Sequence, residues 1–325
     1  MIRVSGIMLL IGTIFTFSLL TGCNMTVKSQ KIEKVGMLIE NSINDQTWGN
    51  KGYRGLLELK EEHDVDVYFR EEVKTRQQTK RVIEEFANNG VDLIIGHSSI
   101  YGKFFQQIHT FYPDIHFLYV NGGYSGDNLT SLNFNSMPMG FFAGMMAGKM
   151  TETNKVGIIA AYEWQPEVEG FYEGVQYQND QVNVDIKYVY SWDNEEVAMQ
   201  HYNAMIANNV DTIYPAGDAY SIPIIESAME QGIQSIGFVN DQSNIGGQSV
   251  LTSTVQHVDK LYVYAFEQIE NGEIIGGVYN FGFPEEVISM GSFSDQVPEP
   301  FIRTLKEDID EYKTTGLLPH QQETK

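Results

Sequence analysis

The sequence contains very little cysteine and far fewer basic than acidic residues. Its 325 residues include one cysteine, Cys23, so no disulfide can stabilise the chain and burial of apolar side chains must do so. Lysine and arginine together number 21 against 43 aspartate and glutamate residues, which gives a formal net charge of −22. Because nucleic-acid affinity depends mainly on lysine and arginine, this balance argues against DNA or RNA as a partner.

The N-terminal segment has the layout of an export signal. Arg3 supplies a positive charge, an apolar stretch covers residues 7–20, and Leu20-Thr21-Gly22-Cys23 ends it. This tetrapeptide resembles the lipobox of bacterial lipoproteins, whose cysteine thiol receives a diacylglycerol and becomes the first residue of the mature chain. We therefore expect a lipoprotein signal peptide over residues 1–22, lipidation at Cys23 and a lipid-anchored linker over residues 23–31.

The mature chain is thus expected on the extracytoplasmic face of the cell membrane, held there by its lipid anchor. A plain signal peptide or an N-terminal membrane helix is the alternative, but the apolar run is short for a membrane span. No later apolar run in the sequence is long enough to cross a bilayer.

After the N-terminal segment, short apolar runs alternate with longer amphipathic stretches. This alternation predicts right-handed crossovers and a parallel sheet. The first series of predicted strands covers residues 35–39, 65–69, 91–95, 117–120 and 131–134, with helices over 48–62, 75–88, 99–111 and 139–150. The second series has strands over 155–160, 184–190, 211–214 and 234–239, with helices over 166–177, 195–208 and 222–231. The predicted fold class is α/β, with two doubly wound parallel-sheet domains facing each other across a cleft.

The last part of the chain must pack back on both domains, which predicts a hinge with several crossings. It contains a predicted helix over residues 259–270, a pair of strands within 277–290 and a final helix over 299–312. We expect an N-terminal lobe of residues 32–135 plus about 240–275, and a C-terminal lobe of 136–239 plus about 276–300. Residues 301–325 are expected to form a C-terminal helix and tail.

In open parallel sheets, ligands bind beyond the carboxyl ends of the strands. The loops at these positions contain all three tryptophans, Trp48, Trp164 and Trp192. An indole ring at a cleft can stack on a planar ring or pack on a sugar, which we favour for Trp48 and Trp164. Trp192 precedes the expected N-cap residue Asp193, so we favour packing at a helix start for it.

The sequence gives little support for catalysis. Its seven histidines show no metal-ligand spacing, and no Gly-x-Gly-x-x-Gly or Walker-type loop occurs. His97 lies in a candidate cleft loop, where a polar pocket residue is commoner than a catalytic base. Asp45, Asp218 and Asp241 could form an acidic metal cluster, but their positions at helix starts favour capping or ligand hydrogen bonds. We therefore predict a non-enzymatic protein with no cofactor and no metal.

Several short segments resemble the basic membrane lipoprotein (BMP/PnrA-like) family. Asp45-Gln46-Thr47-Trp48-Gly49, six residues before Gly55, is similar to the family's Asp-x-Ser-Phe-Asn signature. Other segments match its pattern in order and spacing: Tyr112-Pro113-Asp114, Phe141-Phe142-Ala143-Gly144, Lys155-Val156-Gly157, Pro166 with Phe171 and Gly174, Ser191-Trp192-Asp193, Asp241-Gln242 and Leu251-Thr252-Ser253. The resemblance implies a type I periplasmic-binding fold and a solute-binding lipoprotein of an ABC importer, with a permease partner and a nucleoside-like ligand.

The resemblance also identifies departures from the family. Trp48 stands for the aromatic residue that stacks on the base, and Tyr214 for a second aromatic residue. The ribose-binding aspartate falls on Val239 and the accompanying lysine on Gln256. Because an unpaired buried hydroxyl costs about 1–3 kcal/mol, we expect a small planar or aromatic ligand, such as a base or a modified nucleoside. The candidate ligand-binding residues are Asn41, Asp45, Trp48, Gly96, His97, Ser98, Trp164, Tyr214, Gly217, Asp218, Asn240 and Asp241.

Two functions follow from the resemblance. The first is delivery of a small-molecule ligand to an ABC permease. The second is suggested by similarity to the Med-type branch of bacilli, whose members are labelled competence-gene activators: a ligand-sensing regulatory lipoprotein with no transport role. Direct activation by DNA binding is a third class, which export and acidity both argue against.

Overall fold

The computed structural model describes residues 31–44 and 48–322. The expected signal peptide, the lipidation site at Cys23 and the candidate Asp45 lie outside the described residues. The strands in chain order are β1 (Lys34–Ile39), β2 (Asp66–Arg70), β3 (Leu93–His97), β4 (His116–Val120), β5 (Leu129–Phe134), β6 (Lys155–Ala160), β7 (Asn183–Tyr188), β8 (Thr212–Ala216), β9 (Gln234–Val239), β10 (Val250–Gln256), β11 (Gly277–Phe281) and β12 (Ile288–Met290).

Helices alternate with these strands through most of the described chain. They are α1 (Trp48–His63), α2 (Arg76–Asn88), α3 (Ile100–Ile108), α4 (Met137–Met150), α5 (Pro166–Gln178), α6 (Glu195–Ala207), α7 (Ser221–Glu230), α8 (Ser243–Gly246), α9 (Val258–Glu270), α10 (Glu299–Thr315) and α11 (Pro319–Gln322). Helix α2 shows how local sequence sets a boundary: Thr75 accepts a hydrogen bond from the Gln78 backbone, and the Gln78 side chain accepts one from the Thr75 backbone. Of the described helices, none has both the length and the apolar character of a membrane span.

The strands form two separate six-stranded sheets within the described residues. The first has the order β11-β5-β4-β3-β1-β2 and the second β12-β10-β9-β8-β6-β7. Central strands such as β3, β4 and β8 are buried along their whole length, whereas the edge strand β2 is partly exposed. All pairings are parallel except that of β10 with β12. The predicted α/β class with two parallel-sheet domains is confirmed.

Two late strands lie in the opposite sheet from the one expected. Strand β10, which the expected bounds place in the N-terminal lobe, pairs with β9 of the second sheet, with Val255 beside Val239. Strand β11 pairs with β5 of the first sheet, with Phe281 beside Phe134. The strand pair expected within residues 277–290 is therefore not a hairpin, because β11 and β12 belong to different sheets. The chain crosses between the sheets after β5, after β10 and after β11, as the multi-crossing hinge requires.

Helices α4 and α5 form an unusually close contact beside the hinge. A Cβ atom added at Gly144 would clash with the carbonyl oxygen of Phe171, and one added at Gly174 would clash with that of Phe141. Only glycine allows two helix backbones to approach this closely. Helix α4 carries the first crossing, so this contact fixes the path of the chain where it passes from one sheet to the other.

The C-terminal helix α10 packs back onto the same region, as expected for the last part of the chain. The ring of Tyr312 lies 6.3 Å from that of Phe142 and 6.1 Å from that of Phe283. The side-chain amide of Asn135, just after β5, donates to the Tyr312 hydroxyl at 3.2 Å. The last helix thus braces the first crossing between the sheets.

Candidate ligand-binding cleft

A cavity of about 730 Å³ lies where the carboxyl ends of both sheets meet. Its lining residues come from the ends of strands in both sheets, from the loops that follow these strands, and from the first turns of α1 and α5. They are Ile39, Glu40, Asn41, Ser42, Trp48, Gly49, Glu72, Lys74, His97, Ser98, Ser99, Asn121, Gly122, Asn133, Phe134, Asn135, Ser136, Trp164, Gln165, Pro166, Glu167, Trp192, Asp193, Asp218, Ala219, Phe238, Val239, Gln256 and Asn280. A pocket of this size suits a small molecule.

Trp48 and His97 form an aromatic wall on the side of the first sheet. Their rings stack with centroids 4.5 Å apart and an interplanar angle of 15°. His97 Nε2 lies 2.7 Å from the Trp48 carbonyl oxygen and Nδ1 lies 2.6 Å from the Tyr262 hydroxyl. Because a carbonyl oxygen only accepts, Nε2 carries the proton and Nδ1 accepts from Tyr262. His97 therefore positions Trp48, and only the opposite face of the indole is available to a ligand.

A second aromatic wall comes from the loops of the other sheet. Trp164 stacks on Tyr162 at 5.3 Å with an interplanar angle of 13°. Trp192 meets the edges of both, with centroids at 5.7 Å from Tyr162 and 5.9 Å from Trp164. Trp164 is 64% exposed, which is high for so large an apolar ring. Each sheet thus contributes an indole to the cavity, as a stacking site for a planar ligand requires.

Trp192 combines a position in the cavity wall with a structural role of its backbone. It lines the cavity, and its carbonyl oxygen accepts hydrogen bonds from the backbone of Asp218 and Ala219 at 3.0 and 3.1 Å. The expectation that Asp193 is the N-cap of α6 is wrong. The N-cap is Asn194, whose side chain accepts from the Val197 backbone at 3.2 Å, while Asp193 accepts from the Ser191 hydroxyl at 2.6 Å.

The cavity walls carry an excess of negative charge. Lys74 is the only lysine or arginine among the described lining residues, whereas five lining residues are acidic: Glu40, Glu72, Glu167, Asp193 and Asp218. His97 adds no positive charge at neutral pH, because burial lowers its pKa to about 4, an effect that the hydrogen bond to Trp48 only partly offsets.

Glu167 is the most deeply buried of these acids, with 5% of its surface exposed. It lies in the first turn of α5, where a negative charge is favourable. Burial raises its pKa, while hydrogen bonds from its own backbone N–H and the Ser136 hydroxyl act in the opposite direction. Ser136 precedes α4, so the close contact of α4 with α5 places this carboxylate at the cavity.

Val239 carries backbone strain at the cavity. Its φ is 64°, a left-handed conformation that is a true outlier for a β-branched residue. The Asn240 N–H donates to the Phe238 carbonyl oxygen at 2.7 Å across Val239, which makes a tight γ-turn of the strained type. Strain of this kind concentrates at functional sites and costs about 1–3 kcal/mol. Val239 and Gln256 both line the cavity.

The structure brings six of the twelve candidate residues to the cavity: Asn41, Trp48, His97, Ser98, Trp164 and Asp218. Gly96, Tyr214, Gly217, Asn240 and Asp241 do not line it, and Asp45 is not described. Gly96 and Gly217 are needed for packing instead, since an added Cβ would clash with the rings of Tyr101 and Tyr220.

The other absences from the lining also have physical reasons. Tyr214 is fully buried and its hydroxyl lies 2.9 Å from that of Thr254. Asp241 accepts hydrogen bonds from the backbone and hydroxyl of Ser292 at 2.9 and 2.7 Å. Asn240 donates its backbone N–H within the γ-turn at Val239.

Sequence reasoning missed several lining residues that the rule for carboxyl strand ends would have found. Glu40 directly follows β1, Asn121 follows β4, and Phe238 lies at the end of β9. Phe238 takes the place expected for Tyr214, its neighbour at 6.1 Å. No comparable sequence signal marks Glu72, Lys74 or Glu167 as cavity residues, since charged residues at such positions are normally exposed to solvent.

Comparison with known proteins identifies the family. The model of the PnrA-like substrate-binding proteins of ABC transporters matches residues 32–322. The chain belongs to this family. The resemblance inferred from the short motifs is therefore confirmed, and the PnrA-like assignment implies a small-molecule ligand and a permease partner.

Two PnrA-like relatives span most of the chain. The protein named transcriptional activator protein med of Bacillus subtilis (strain 168) is 44% identical over 301 residues, which are 93% of this chain and 95% of that protein. Basic membrane protein A of Borreliella burgdorferi is 25% identical, and the match covers 79% of each chain.

Solved structures agree with the fold. A transcriptional activator of the comK gene from Bacillus halodurans is 41% identical, with a TM-score of 0.83, and the match covers 88% of this chain and all of that one. An ABC-transporter solute-binding protein from Conexibacter woesei is 18% identical, with a TM-score of 0.73 over 88% of this chain and 97% of that one. The latter likeness concerns the fold alone.

The PnrA-like chain should lose stability as the pH falls from about 6.5 to about 4. Burial lowers the pKa of both His97 and His116 to about 4, so the unfolded chain takes up protons there that the folded chain does not. Each histidine should therefore lower the unfolding free energy by about 3 kcal/mol across this range.

Denaturant unfolding at a series of pH values checks this expectation with His97→Gln and His116→Gln. The stability deficit of each variant relative to the wild type should shrink as the pH falls. His201→Gln, at a half-exposed position, is the control. Deficits that stay constant between pH 7 and 4.5 would contradict the assignment of buried neutral histidines.

Proposed function

We propose that this protein is an extracytoplasmic solute-binding lipoprotein that holds a small planar ligand between its two lobes for an ABC importer. The observation that supports it is the cavity at the carboxyl ends of both sheets, with Trp48 on one side and Trp164 on the other. Indoles from opposite lobes can sandwich a flat ring, and hinge closure would complete the sandwich. Ligands of such folds bind at the same edge of the sheet.

The ligand need not be a simple nucleoside. Val239 and Gln256 stand where the family has an aspartate and a lysine for ribose, and both line the cavity. An isopropyl group cannot accept hydrogen bonds from two vicinal hydroxyls, which would leave them unpaired. A base, a modified nucleoside or another planar ring fits these walls better than an unmodified ribonucleoside does.

A regulatory role is the second candidate. The specific observation is the 44% identity to a protein named as a transcriptional activator. A lipid-anchored protein with 43 acidic against 21 basic residues would exert such a role by sensing a ligand outside the membrane, not by binding DNA. Co-purification of the intact protein with a permease favours transport, whereas ligand binding with no permease partner favours sensing.

Replacement of Trp48 tests the stacking site. The chain from Asn24 onwards is first screened by thermal shift with nucleosides, bases and other small planar metabolites. A true ligand at a hundredfold excess over Kd should stabilise it by about 2.7 kcal/mol. Trp48→Ala should then weaken binding by about 1–3 kcal/mol, as measured by calorimetry. Phe111→Ala, at a ring that is 77% exposed and outside the cavity, is the control.

The same ligand should close the lobes. Small-angle scattering at saturation should give a smaller radius of gyration than scattering of the free protein. An unchanged radius together with unchanged affinity in Trp48→Ala would refute a closing cleft with a stacked ligand.

Restoration of the family's ribose contacts should create nucleoside binding. The double variant Val239→Asp, Gln256→Lys should bind inosine, guanosine or adenosine more tightly than the wild type, because ribose hydroxyls gain partners. Aspartate also tolerates the left-handed conformation at residue 239 better than valine. Val239→Gly is the matched control, since it relieves the strain and supplies no carboxylate. Tight inosine binding by the wild type would show that the ribose site lies elsewhere.

The lipid anchor depends on the thiol at position 23. Cys23→Ser should abolish lipidation, so the protein should remain as an uncleaved precursor or lose its lipid label. Fractionation and metabolic labelling with a fatty acid measure both. A cleaved Cys23→Ser protein that still fractionates with membranes would overturn the lipoprotein assignment.

A further inference from the structure

Four of the five acidic groups of the cleft form no ion pair within the described part of the chain. None of the ion pairs there includes Glu40, Glu72, Glu167 or Asp193. Glu40 accepts a hydrogen bond from the Ser98 hydroxyl at 2.5 Å, and Glu167 is bonded to Ser136. A hydroxyl donor carries no full positive charge, so the buried Glu167 carboxylate is offset only in part, by the first turn of α5.

Gln256 supplies an independent sign of a ligand. Its residue is 5% exposed and lines the cavity, yet its side-chain amide makes no hydrogen bond to any described residue. The amide atoms are accessible from the cavity. They can therefore donate to and accept from a polar group of the ligand.

The aromatic walls add a third element. An indole face attracts a cation electrostatically, and the attraction grows when water is excluded. Trp48 and Trp164 present such faces to a space that is also bordered by the carboxylates of Glu40 and Glu167. A neutral planar ligand would gain the stacking, but it would leave these carboxylates uncompensated.

We propose that the ligand of this cleft is a planar cation, with its positive charge on or beside an aromatic ring. The inference rests on the proposed solute-binding function and adds the charge of the ligand to it. The ring lies against the indoles, the charge is compensated by Glu40 and Glu167, and the amide of Gln256 bonds a polar substituent.

Pairs of probes that differ in charge and share the same ring system, with at most one methyl group moved or added, test the proposal. 1-Methyladenosine is cationic at neutral pH, whereas its isomer N6-methyladenosine is neutral; 1-methylnicotinamide and nicotinamide form a second pair that lacks ribose in both members. Calorimetry on the chain from Asn24 should show the cation of each pair binding about tenfold more tightly or better.

Variants assign the preference to particular residues. Glu167→Gln and Glu40→Gln should each weaken binding of the cation by about tenfold or more and bring it close to that of the neutral partner. Glu169→Gln is the matched control: it removes the same charge from the same helix, but at an exposed position outside the cavity. It should leave the cation preference unchanged.

The outcomes separate this proposal from the proposed function. Equal or tighter binding of the neutral members would overturn the cationic ligand and leave a planar-ligand binder intact. A preference that survives both Glu167→Gln and Glu40→Gln would overturn the role of these carboxylates. If no probe binds at millimolar concentration, the planar cation is refuted, and the broader thermal-shift screen decides the solute-binding function by itself.

Discussion

The contact between α4 and α5 is the constraint on which the cleft depends. Gly144 and Gly174 let the two helix backbones approach to a distance that any Cβ atom would prevent. One helix carries the first crossing between the sheets and the other begins at the cavity with Glu167 in its first turn. A looser contact would move Ser136 away from Glu167 and remove the hydrogen bond that supports a buried carboxylate.

Buried ionisable groups of the cleft lower the stability of the folded protein, whereas their charges can favour ligand binding. A buried acid with a raised pKa lowers the stability of the folded protein at neutral pH, because the charged form is disfavoured there. The buried histidines His97, in the cleft, and His116, outside it, have the opposite pH dependence, since their depressed pKa values lower the stability of the folded protein as the pH falls. A role of the Glu167 charge in binding would explain why this destabilising group is present, because functional groups often reduce stability.

The fold was largely predictable because its strands are short, apolar and regularly separated by helices. Strands that lie in the middle of a sheet are buried on both faces, so they appear in the sequence as continuous apolar runs. Strand β10 escaped prediction because its sequence, Val250–Gln256, contains threonine and serine between its apolar residues. The sequence could not predict which sheet β11 and β12 join either. Strand β11 adds to β5 in the first sheet and β12 adds to β10 in the second. The choice depends on which strand edges the rest of the fold leaves open for pairing.

The site was predictable in location but not in chemistry. The rule for carboxyl strand ends identifies the cavity, yet it cannot tell which of two neighbouring aromatic residues, Tyr214 or Phe238, faces it. The strain at Val239 shows what a sequence comparison alone misses. Valine rarely adopts a left-handed conformation, so its presence in the sequence gives no sign of this turn. Burial of the isopropyl group, 2% exposed, offsets part of that strain. The location of the cleft thus follows from the order of strands and helices, whereas the shape and the charge of its walls become apparent only in the folded chain.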